Sequence, residues 1–443
     1  MAENNGGAER RRDDGYQRSS RVDDGKKGKA EKHTADRHKA DGHKADGHTP
    51  DRHKSYKDKP GKDSANKDKT SPAETSHSTR SPSLDKGEHS ARQKGRSGQQ
   101  GRRRTYAALD LGTNNCRLLI ATPNRKGFRV VDAFSRIVRL GEGVAATGML
   151  STNAMDRTID ALKVCAEKIA RRNATRVRCI ATQACRAASN GEAFLSRVRT
   201  ETGIAFDVIG PEEEAQLAVS GCKDLIDEDA TGIVLFDIGG GSTEISFLKR
   251  SETNTTDQNR STRHHLIDWL SIPIGVVTLS EEWGGREVEK GKYGDIIRDV
   301  EDRLKAHNLP HEVERIFAAG RGSLLGTSGT VTSIAGVHLG LTRYRRDEVD
   351  GLWLSSEDAK QVSEQLRAMS FAERSNHPCI GPDRADLVVC GCAIFEAILK
   401  TWPTDRVRVA DRGLREGLLN GMIAEDKKRS ASKKQRQRRA GHA

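Results

Sequence analysis

The feature that most constrains the fold is a pattern of an apolar strand, an aspartate, a turn rich in glycines and hydroxyls, and a second strand. Residues 232–248 give its clearest copy, GIVLFDIGGGSTEISFL. The first residues are apolar and β-branched enough for a buried strand, and those after the turn alternate like the return strand of a hairpin. The segment therefore predicts a β-hairpin with Asp237 at the end of its first strand and Glu244 in its second.

The turn of this hairpin has the composition of a phosphate-binding loop. Glycines let backbone N–H groups approach an oxyanion because no Cβ blocks the way. The two carboxylates, Asp237 and Glu244, are suited to hold Mg²⁺ against a phosphate. For this segment alone, a glycine-rich turn capped by an aspartate is an equal alternative. The predicted phosphate-binding residues of this turn are Gly239, Gly240, Gly241, Ser242 and Thr243.

The same pattern occurs a second time, in residues 105–121, TYAALDLGTNNCRLLIA. Here Asp110 ends the first strand, and a further strand is predicted from Phe128, as in a meander. The repeat makes a phosphate-binding role more specific than either copy alone. The predicted phosphate-binding residues of this turn are Gly112, Thr113 and Asn114.

A third loop of glycines and hydroxyls, residues 326–330, opens a predicted helix. Amide groups at a helix N-terminus form an anion site, so Ser328, Gly329 and Thr330 are predicted to contact phosphate. None of the three loops carries the Gly-Lys-Ser/Thr ending of a P-loop, which excludes that class.

The rest of the central sequence alternates helices and strands. Helices are predicted over 151–171, from Pro211 and over 414–423, and strands over 177–181, 315–320 and 406–410. Arg186 follows a strand end, where it is either a surface arginine or an anion contact. The three glutamates after Pro211 stand in a first helical turn, where the helix dipole alone explains acidic residues.

The net charge of +13 belongs to the two terminal segments. Residues 1–104 carry 27 Lys and Arg against 17 Asp and Glu, and residues 426–443 carry 8 against 1. Residues 1–104 also lack the apolar surface that folding needs, so they are predicted to be a disordered basic tail. Histidines recur there every five residues, from His33 to His53, as a metal-binding tract or, as the composition favours, part of a solvated low-complexity tail. Residues 426–443 are predicted to be a basic C-terminal tail.

All eight cysteines lie in the central part, without any Cys-x-x-Cys pair. This distribution favours reduced thiols in a cytoplasmic protein over disulfides or a zinc site. No uncharged apolar run approaches the roughly 20 residues that span a bilayer. The protein is therefore predicted to be soluble and cytoplasmic.

Six segments taken in order resemble the exopolyphosphatase and guanosine pentaphosphate phosphohydrolase family, within the superfamily of sugar kinases, heat-shock ATPases and actin. They are residues 110–117, 182–190, 213–215, 237–244, 326–330 and 413–417. The resemblance implies an α/β fold of two ribonuclease H-like (actin-like ATPase) lobes, 105–228 and 229–425, with a phosphate-binding cleft between them and disordered tails on either side.

The resemblance also implies roles for single residues. Glu214 corresponds to the catalytic base, and Asp110, Asp237 and Glu244 correspond to carboxylates that hold Mg²⁺ or orient the attacking water. Arg186 corresponds to a phosphate contact. The implied reaction releases orthophosphate from polyphosphate or guanosine pentaphosphate, and the implied assembly is a homodimer.

Two other functions remain open at this point. One is a non-catalytic nucleotide- or polyanion-binding protein of the same fold, whose basic tails contact RNA or polyphosphate. The other is a small-molecule kinase. The choice between polyphosphate and guanosine pentaphosphate is open too, because both present the same terminal group to the loops.

Overall fold

The computed structural model describes residues 104–125, 127–251, 264–289, 291–307 and 310–440. The predicted disordered tail, apart from Arg104, and its histidine repeat lie outside the described residues. No helix in the described ranges is long and apolar enough to cross a membrane. All eight cysteines are buried and free.

The first of two sheets has five strands in the order β3-β2-β1-β4-β5. The first three strands form an antiparallel meander, and β4 and β5 add parallel strands on the other side of β1. The strands are β1 (Tyr106–Leu111), β2 (Asn115–Asn124), β3 (Gly127–Ile137), β4 (Arg176–Ala181) and β5 (Asp207–Val208). The helices of this part are α1 (Val144–Thr147), α2 (Thr152–Arg171), α3 (Gln183–Ala187), α4 (Gly191–Thr202) and α5 (Pro211–Cys222).

The second sheet has six strands in the order β10-β11-β9-β6-β7-β8. They are β6 (Gly232–Ile238), β7 (Thr243–Arg250), β8 (His264–Ile272), β9 (Gly322–Thr327), β10 (Trp353–Ser355) and β11 (Arg406–Val409). Its helices are α6 (Val276–Trp283), α7 (Tyr293–Lys305), α8 (His311–Ala318), α9 (Ser328–His338), α10 (Arg346–Val349), α11 (Ser356–Ala368), α12 (Phe371–Asn376), α13 (Val388–Thr401) and α14 (Leu414–Ala440).

The two sheets repeat one arrangement, which confirms the predicted α/β fold. In each, a hairpin continues into a third antiparallel strand, and a later strand, β4 or β9, pairs parallel with the first. We call β1–β2 the first hairpin and β6–β7 the second hairpin. Asp110 pairs with Arg117 in the first, and Asp237 pairs with Glu244 at the same register in the second.

Two helices connect the sheets through a shared apolar core. Side chains of α5 and α14 pack together with residues of β1, β6 and β9, among them Ala108, Leu235 and Leu325. A Cβ on Gly417 would lie 2.2 Å from the carbonyl oxygen of Leu217, so only glycine allows this close helix contact. This packing places the N-terminal ends of α5 and α14 next to each other.

Two predictions of secondary structure are wrong. Residues 315–320 were predicted to be a strand, but most of them belong to α8, whose buried residues Val313, Ile316 and Phe317 recur at helical spacing. The strand, β9, begins only at Gly322, after Gly320 turns the backbone with a φ of 66°.

The C-terminal helix was predicted to end at residue 423, with a disordered basic tail after it. Instead α14 continues to Ala440. Residues 422–440 contain neither glycine nor proline and are rich in Lys, Arg, Gln and Ala, which have high helix propensity. The basic segment is therefore helical as far as Ala440.

Candidate active site

The two hairpin turns lie against one cleft, together with the first turns of α5 and α14 and the start of α9. The cleft contains about 730 Å³ of empty space, part of it open to solvent. The predicted site residues in its wall are Asp110, Gly112, Thr113, Asn114, Glu214, Asp237, Gly239, Gly240, Gly241, Ser242, Glu244 and Ser328.

The turn of the first hairpin has free amide groups. The carbonyl oxygens of Thr113 and Asn114 accept hydrogen bonds from the N–H groups of Gly141 and Val138, both at 2.9 Å. The N–H groups of Thr113 and Asn114 themselves have no backbone acceptor among the described residues. They remain available to an anion in the cleft.

The second turn follows the same plan. The carbonyl oxygens of Gly239 and Gly240 accept from the N–H groups of Val276 at 3.0 Å and Val277 at 2.8 Å. Within the described part of the chain, no backbone acceptor is found for the N–H groups of Gly240 and Gly241. In each hairpin, the carbonyl oxygens of the turn thus accept hydrogen bonds from a following segment, and the N–H groups of the turn remain available to a ligand.

The turns touch each other, and glycine makes this contact possible. A Cβ on Gly240 would lie 3.0 Å from the Asn114 nitrogen, and one on Gly241 would lie 2.1 Å from Oε1 of Gln183. The same Gln183 oxygen accepts a hydrogen bond from Thr113 Oγ1 at 3.0 Å. These glycines are needed for the approach of the two hairpins, since a larger residue would force them apart.

Glu244 is buried and oriented by two hydroxyls. Ser242 Oγ and Ser271 Oγ both donate to its Oε1, at 2.6 and 3.0 Å. Burial raises the pKa of Glu244 to about 7, the charge of Asp237 adds to the rise, and the two hydroxyl hydrogen bonds oppose it. The fixed oxygen leaves Oε2 as the atom free to meet a ligand.

Asp110 and Asp237 are half-buried in the floor of the cleft. Burial raises the pKa of both, that of Asp237 to about 6, and the positive charges of Arg117 and Arg415 oppose the rise. The cleft therefore gathers negative charge that the neighbouring arginines only partly balance.

The structure distinguishes the three glutamates of the first turn of α5. Glu212 is exposed and accepts from Gln216, while Glu213 pairs with Arg178. Glu214 is buried, 7% exposed, and its Oε2 has no hydrogen-bond partner in the described part of the protein. The helix dipole explains an acidic first turn, but not the burial of an unpartnered carboxylate oxygen.

The electrostatic surroundings of Glu214 are mainly acidic. Burial raises its pKa well above the ordinary value, and the charge of Glu244 raises it further. Arg186 opposes this, with its Nη1 3.6 Å from Glu214 Oε2, while the same nitrogen donates to the carbonyl oxygen of Ile209 at 2.7 Å. The predicted phosphate contact Arg186 thus lies beside the predicted base.

Four predicted residues lie outside the wall of this cleft, and one of them is Arg186, beside Glu214. The hydroxyl of Thr243 donates to the carbonyl oxygen of Ile274 at 2.7 Å, so it supports the second turn. Gly329 and Thr330 line an adjoining pocket with Asn115 and Arg384.

Sequence reasoning did not assign a role to several residues of the cleft, above all Arg117, Gln183 and Arg415. Arg117 could have been found, because it stands seven residues after Asp110, as Glu244 stands seven after Asp237. Arg415 belongs to the segment 413–417, which carried the family resemblance without a role for any residue. Gln183 likewise belongs to a segment of the resemblance, 182–190, in which only Arg186 was given a role.

The carboxylates of the cleft fit a hard cation. Within the described ranges, no three His, Cys, Asp or Glu side chains are arranged to hold a metal ion by themselves. Mg²⁺ is usually bound by only one or two carboxylates, with water and substrate phosphates as its other ligands. The all-oxygen set of Asp110, Asp237 and Glu244, beside the unpartnered oxygen of Glu214, matches that chemistry.

Comparisons with known proteins identify relatives of the chain. It is 28% identical over 328 residues to exopolyphosphatase 2 of Mycobacterium tuberculosis, an alignment that covers 70% of this chain and 96% of that protein. It is 26% identical over 319 residues to the guanosine-5'-triphosphate,3'-diphosphate pyrophosphatase of Aeromonas salmonicida. That alignment covers 72% of this chain but only 59% of the longer relative.

Solved structures show the same fold. The crystal structure of the Aquifex aeolicus member of the Ppx/GppA family matches with a TM-score of 0.59 and 27% identity, over 73% of this chain and 98% of that one. An exopolyphosphatase from Cytophaga hutchinsonii, at 23% identity, matches in fold with a TM-score of 0.64 over the same shares of the two chains. The profile of the Ppx/GppA phosphatase family matches residues 119–426. The chain therefore belongs to the Ppx/GppA phosphatase family.

Proposed function

We propose that the protein is a Mg²⁺-dependent phosphohydrolase that removes the terminal orthophosphate of polyphosphate, of guanosine pentaphosphate, or of both. One observation carries the proposal: the unpartnered carboxylate of Glu214 lies in the wall of a cleft between two phosphate-binding turns. A base beside a phosphate site is what hydrolysis by water requires.

The turns and the arginines bind the terminal phosphates. The N–H groups of Thr113 and Asn114 in the first turn, and of Gly240 and Gly241 in the second, donate to phosphate oxygens. Arg117 contributes a positive charge that balances charge on the phosphoryl group.

Glu214 acts as the general base. Its raised pKa makes it a stronger base once it is ionised, and positive charge brought into the cleft lowers that pKa. The ionised carboxylate then takes a proton from a water molecule that attacks the terminal phosphorus. Arg186, 3.6 Å from Oε2, keeps the side chain in place during this transfer.

In this proposal Asp110, Asp237 and Glu244 would hold Mg²⁺ or orient the attacking water, with water and phosphate oxygens as further ligands of the ion. The ion supplies positive charge against the phosphoryl oxygens when it is bound. The hydroxyls of Ser242 and Ser271 fix one oxygen of Glu244 and so direct the other.

The relatives support two substrates. The relative covered over 96% of its length is named an exopolyphosphatase, and the relative covered over 59% is named for the guanosine nucleotide. Catalytic efficiency measured side by side on long polyphosphate and on guanosine pentaphosphate decides between them. The buried free thiols favour a cytoplasmic location for this enzyme.

The test is a pair of glutamine variants in the first turn of α5. Glu214→Gln should reduce orthophosphate release with Mg²⁺ by about 10²- to 10⁴-fold, the usual contribution of a general base. Glu212→Gln, in the exposed position two residues earlier, should stay close to wild type. Circular dichroism and melting temperature check that both variants fold.

Three outcomes would overturn the assignment. Full activity of Glu214→Gln would remove its role as base. Transfer of phosphate from ATP to a small hydroxyl compound, without release from either polyanion, would identify a kinase. Binding of either polyanion without turnover would identify a non-catalytic protein.

A further inference from the structure

The last part of α14 is a cationic helix that extends beyond the shared core. From Lys427 onward, every side chain that the structure describes on this helix is exposed. The residue before this extension, Asp426, is buried and fixes it to the first sheet. Its carboxylate accepts from Tyr106 Oη at 2.8 Å, Arg176 Nη1 at 2.8 Å and Arg104 Nη1 at 2.5 Å.

A cavity lies at this junction, on the side of the helix that faces β4. Four cations line it, with a single carboxylate, Asp426, among them. Its lining residues are Arg104, Thr175, Arg176, Asp426, Arg429, Ser430 and Lys433. The cavity contains about 680 Å³ of empty space, part of it open to solvent.

Two of the four cations are free to bind a ligand. Asp426 holds Arg104 and Arg176, and Glu425 also pairs with Arg176, at 2.9 Å. Arg429 and Lys433 stand one helical turn apart on the same face, and no ion pair joins either of them to a carboxylate within the described ranges. They form a positively charged site that no described carboxylate neutralises, beside two arginines that are paired with carboxylates.

We propose that this cavity binds an inorganic polyphosphate chain at a distance from the cleft. The inference rests on the proposed function, since it concerns the longer of the two substrates. A polyphosphate offers only charge and phosphate oxygens, which Arg429 and Lys433 match. Binding of single-stranded nucleic acid usually adds stacking on exposed aromatic side chains, and none of the described residues that line this cavity is aromatic.

The helix itself relates the cavity to the cleft. Arg415, near the start of α14, lines the cleft, and Arg429 lines the cavity fourteen residues later. At 1.5 Å per residue the two positions are about 21 Å apart along the helix. A long chain can contact both places, whereas tripolyphosphate reaches only the cleft. The second site therefore increases affinity for long chains alone.

The test compares two double variants of the full chain that remove the same charge. Arg429→Gln/Lys433→Gln removes the cavity cations, and Lys427→Gln/Lys428→Gln removes two exposed cations of the same helix that do not line the cavity. Binding of long-chain polyphosphate is measured over a salt series that includes about 0.15 M, where the Debye length is about 8 Å. The Glu214→Gln background is used so that turnover is slow. Kinetics on tripolyphosphate and on long chains are measured with Glu214 intact.

The cavity variant should bind long polyphosphate about tenfold more weakly, with a smaller salt dependence, because two phosphate contacts are lost. The control should change by about twofold or less, since charge not in contact contributes little. Tripolyphosphate turnover should be the same in all variants.

Equal losses in both double variants, or none in either, would overturn the inference. Equally tight and equally variant-sensitive binding of a single-stranded RNA homopolymer would assign the surface to nucleic acid instead. The proposed function fails separately: it fails if polyphosphate and guanosine pentaphosphate are not hydrolysed, whatever the binding data show.

Discussion

The first and second hairpins share a backbone plan and differ in charge at one equivalent position. Each has an aspartate at the end of its first strand, and the residue paired with it is Arg117 in the first hairpin and Glu244 in the second. The first hairpin is therefore locally balanced, and the second is doubly acidic. In the proposed reaction, the first hairpin would therefore contribute positive charge toward phosphate, and the second would contribute carboxylates toward a cation.

Burial raises the carboxylate pKa values of the cleft, and this difference in charge modifies that effect. Arg117 lowers the pKa of Asp110 and Asp237, whereas Asp237 raises the pKa of its own partner, Glu244. If the comparison is correct, variants of the second hairpin should affect turnover most, and variants of the first should affect binding.

The largest expected effect is that of Glu244→Gln. We expect kcat/KM to fall by about 10²- to 10³-fold, because glutamine lacks the negative charge with which Glu244 would hold Mg²⁺ in the proposed reaction. Glutamine can still accept both hydroxyl hydrogen bonds through its oxygen, so folding should be preserved. The matched control is Glu312→Gln, an exposed glutamate that pairs with Lys249 at the far end of β7. A steady-state assay that found equal activity in both variants would contradict the role of the second hairpin.

In the first hairpin, Arg117→Gln should raise KM by about tenfold, because a charge-assisted contact to phosphate is lost. Loss of this positive charge also raises the pKa of Asp110 and Asp237, so the acid limb of the pH–rate profile should move to higher pH. Arg117→Lys should restore the position of the limb better than it restores KM, since it keeps the charge but not the guanidinium geometry. If the acid limb did not move in Arg117→Gln, the charge of Arg117 would have no influence on the pKa of these carboxylates.

A smaller effect concerns stability and pH. Burial raises the pKa of Glu244 to about 7 and that of Asp237 to about 6, so ionisation is less favourable in the folded than in the unfolded protein. The stability contributed by the protonated forms is present at low pH and is lost as pH rises through these values. With metal removed by EDTA, the melting temperature of the wild type should therefore decline between pH 5 and pH 8 relative to Glu244→Gln.

We expect the two melting temperatures to differ by a few degrees at pH 8. A change of about 1 kcal/mol in unfolding free energy shifts the melting temperature of a domain of this size by about 2 to 4 °C. Calorimetry across the pH series provides the comparison. The same pH dependence of the melting temperature in both proteins would show that ionisation of Glu244 does not reduce the stability of the folded protein.

The smallest expected effect lies behind the turn of the first hairpin. Arg139, next to the residue that bonds Asn114, donates to both oxygens of Asp386 at 2.8 and 2.7 Å, which ties this turn to the second sheet. Asp386→Asn should lower the unfolding free energy by about 1 kcal/mol or less, because the pair is partly exposed. KM should change by about threefold or less. Chemical denaturation measures the first effect, and Glu142→Gln, a more exposed partner of Arg139, is the control.

Much of the site followed from local sequence. Both hairpins, the aspartates at their strand ends and the helix that carries Glu214 were predicted from apolar runs, turn residues and a helix start. The prediction of a strand over 315–320 was wrong because so short an apolar run shows no clear hydrophobic period. The structure places most of it in α8, whose buried residues recur at helical spacing. The length of α14 was underestimated because its basic part has high helix propensity but no apolar face.

The sequence by itself determined what each segment is: where the strands end, where the turns lie and which residues carry carboxylates. These are local properties, readable within about ten residues. Only the tertiary structure decided which of them meet. The close contact of Gly240 with Asn114, the placing of Arg186 beside the buried Glu214 and the influence of Arg415 on Asp110 join residues far apart in the chain. Desolvation and charge interactions depend on every neighbour in space, so the chemistry of the cleft is a property of the folded protein.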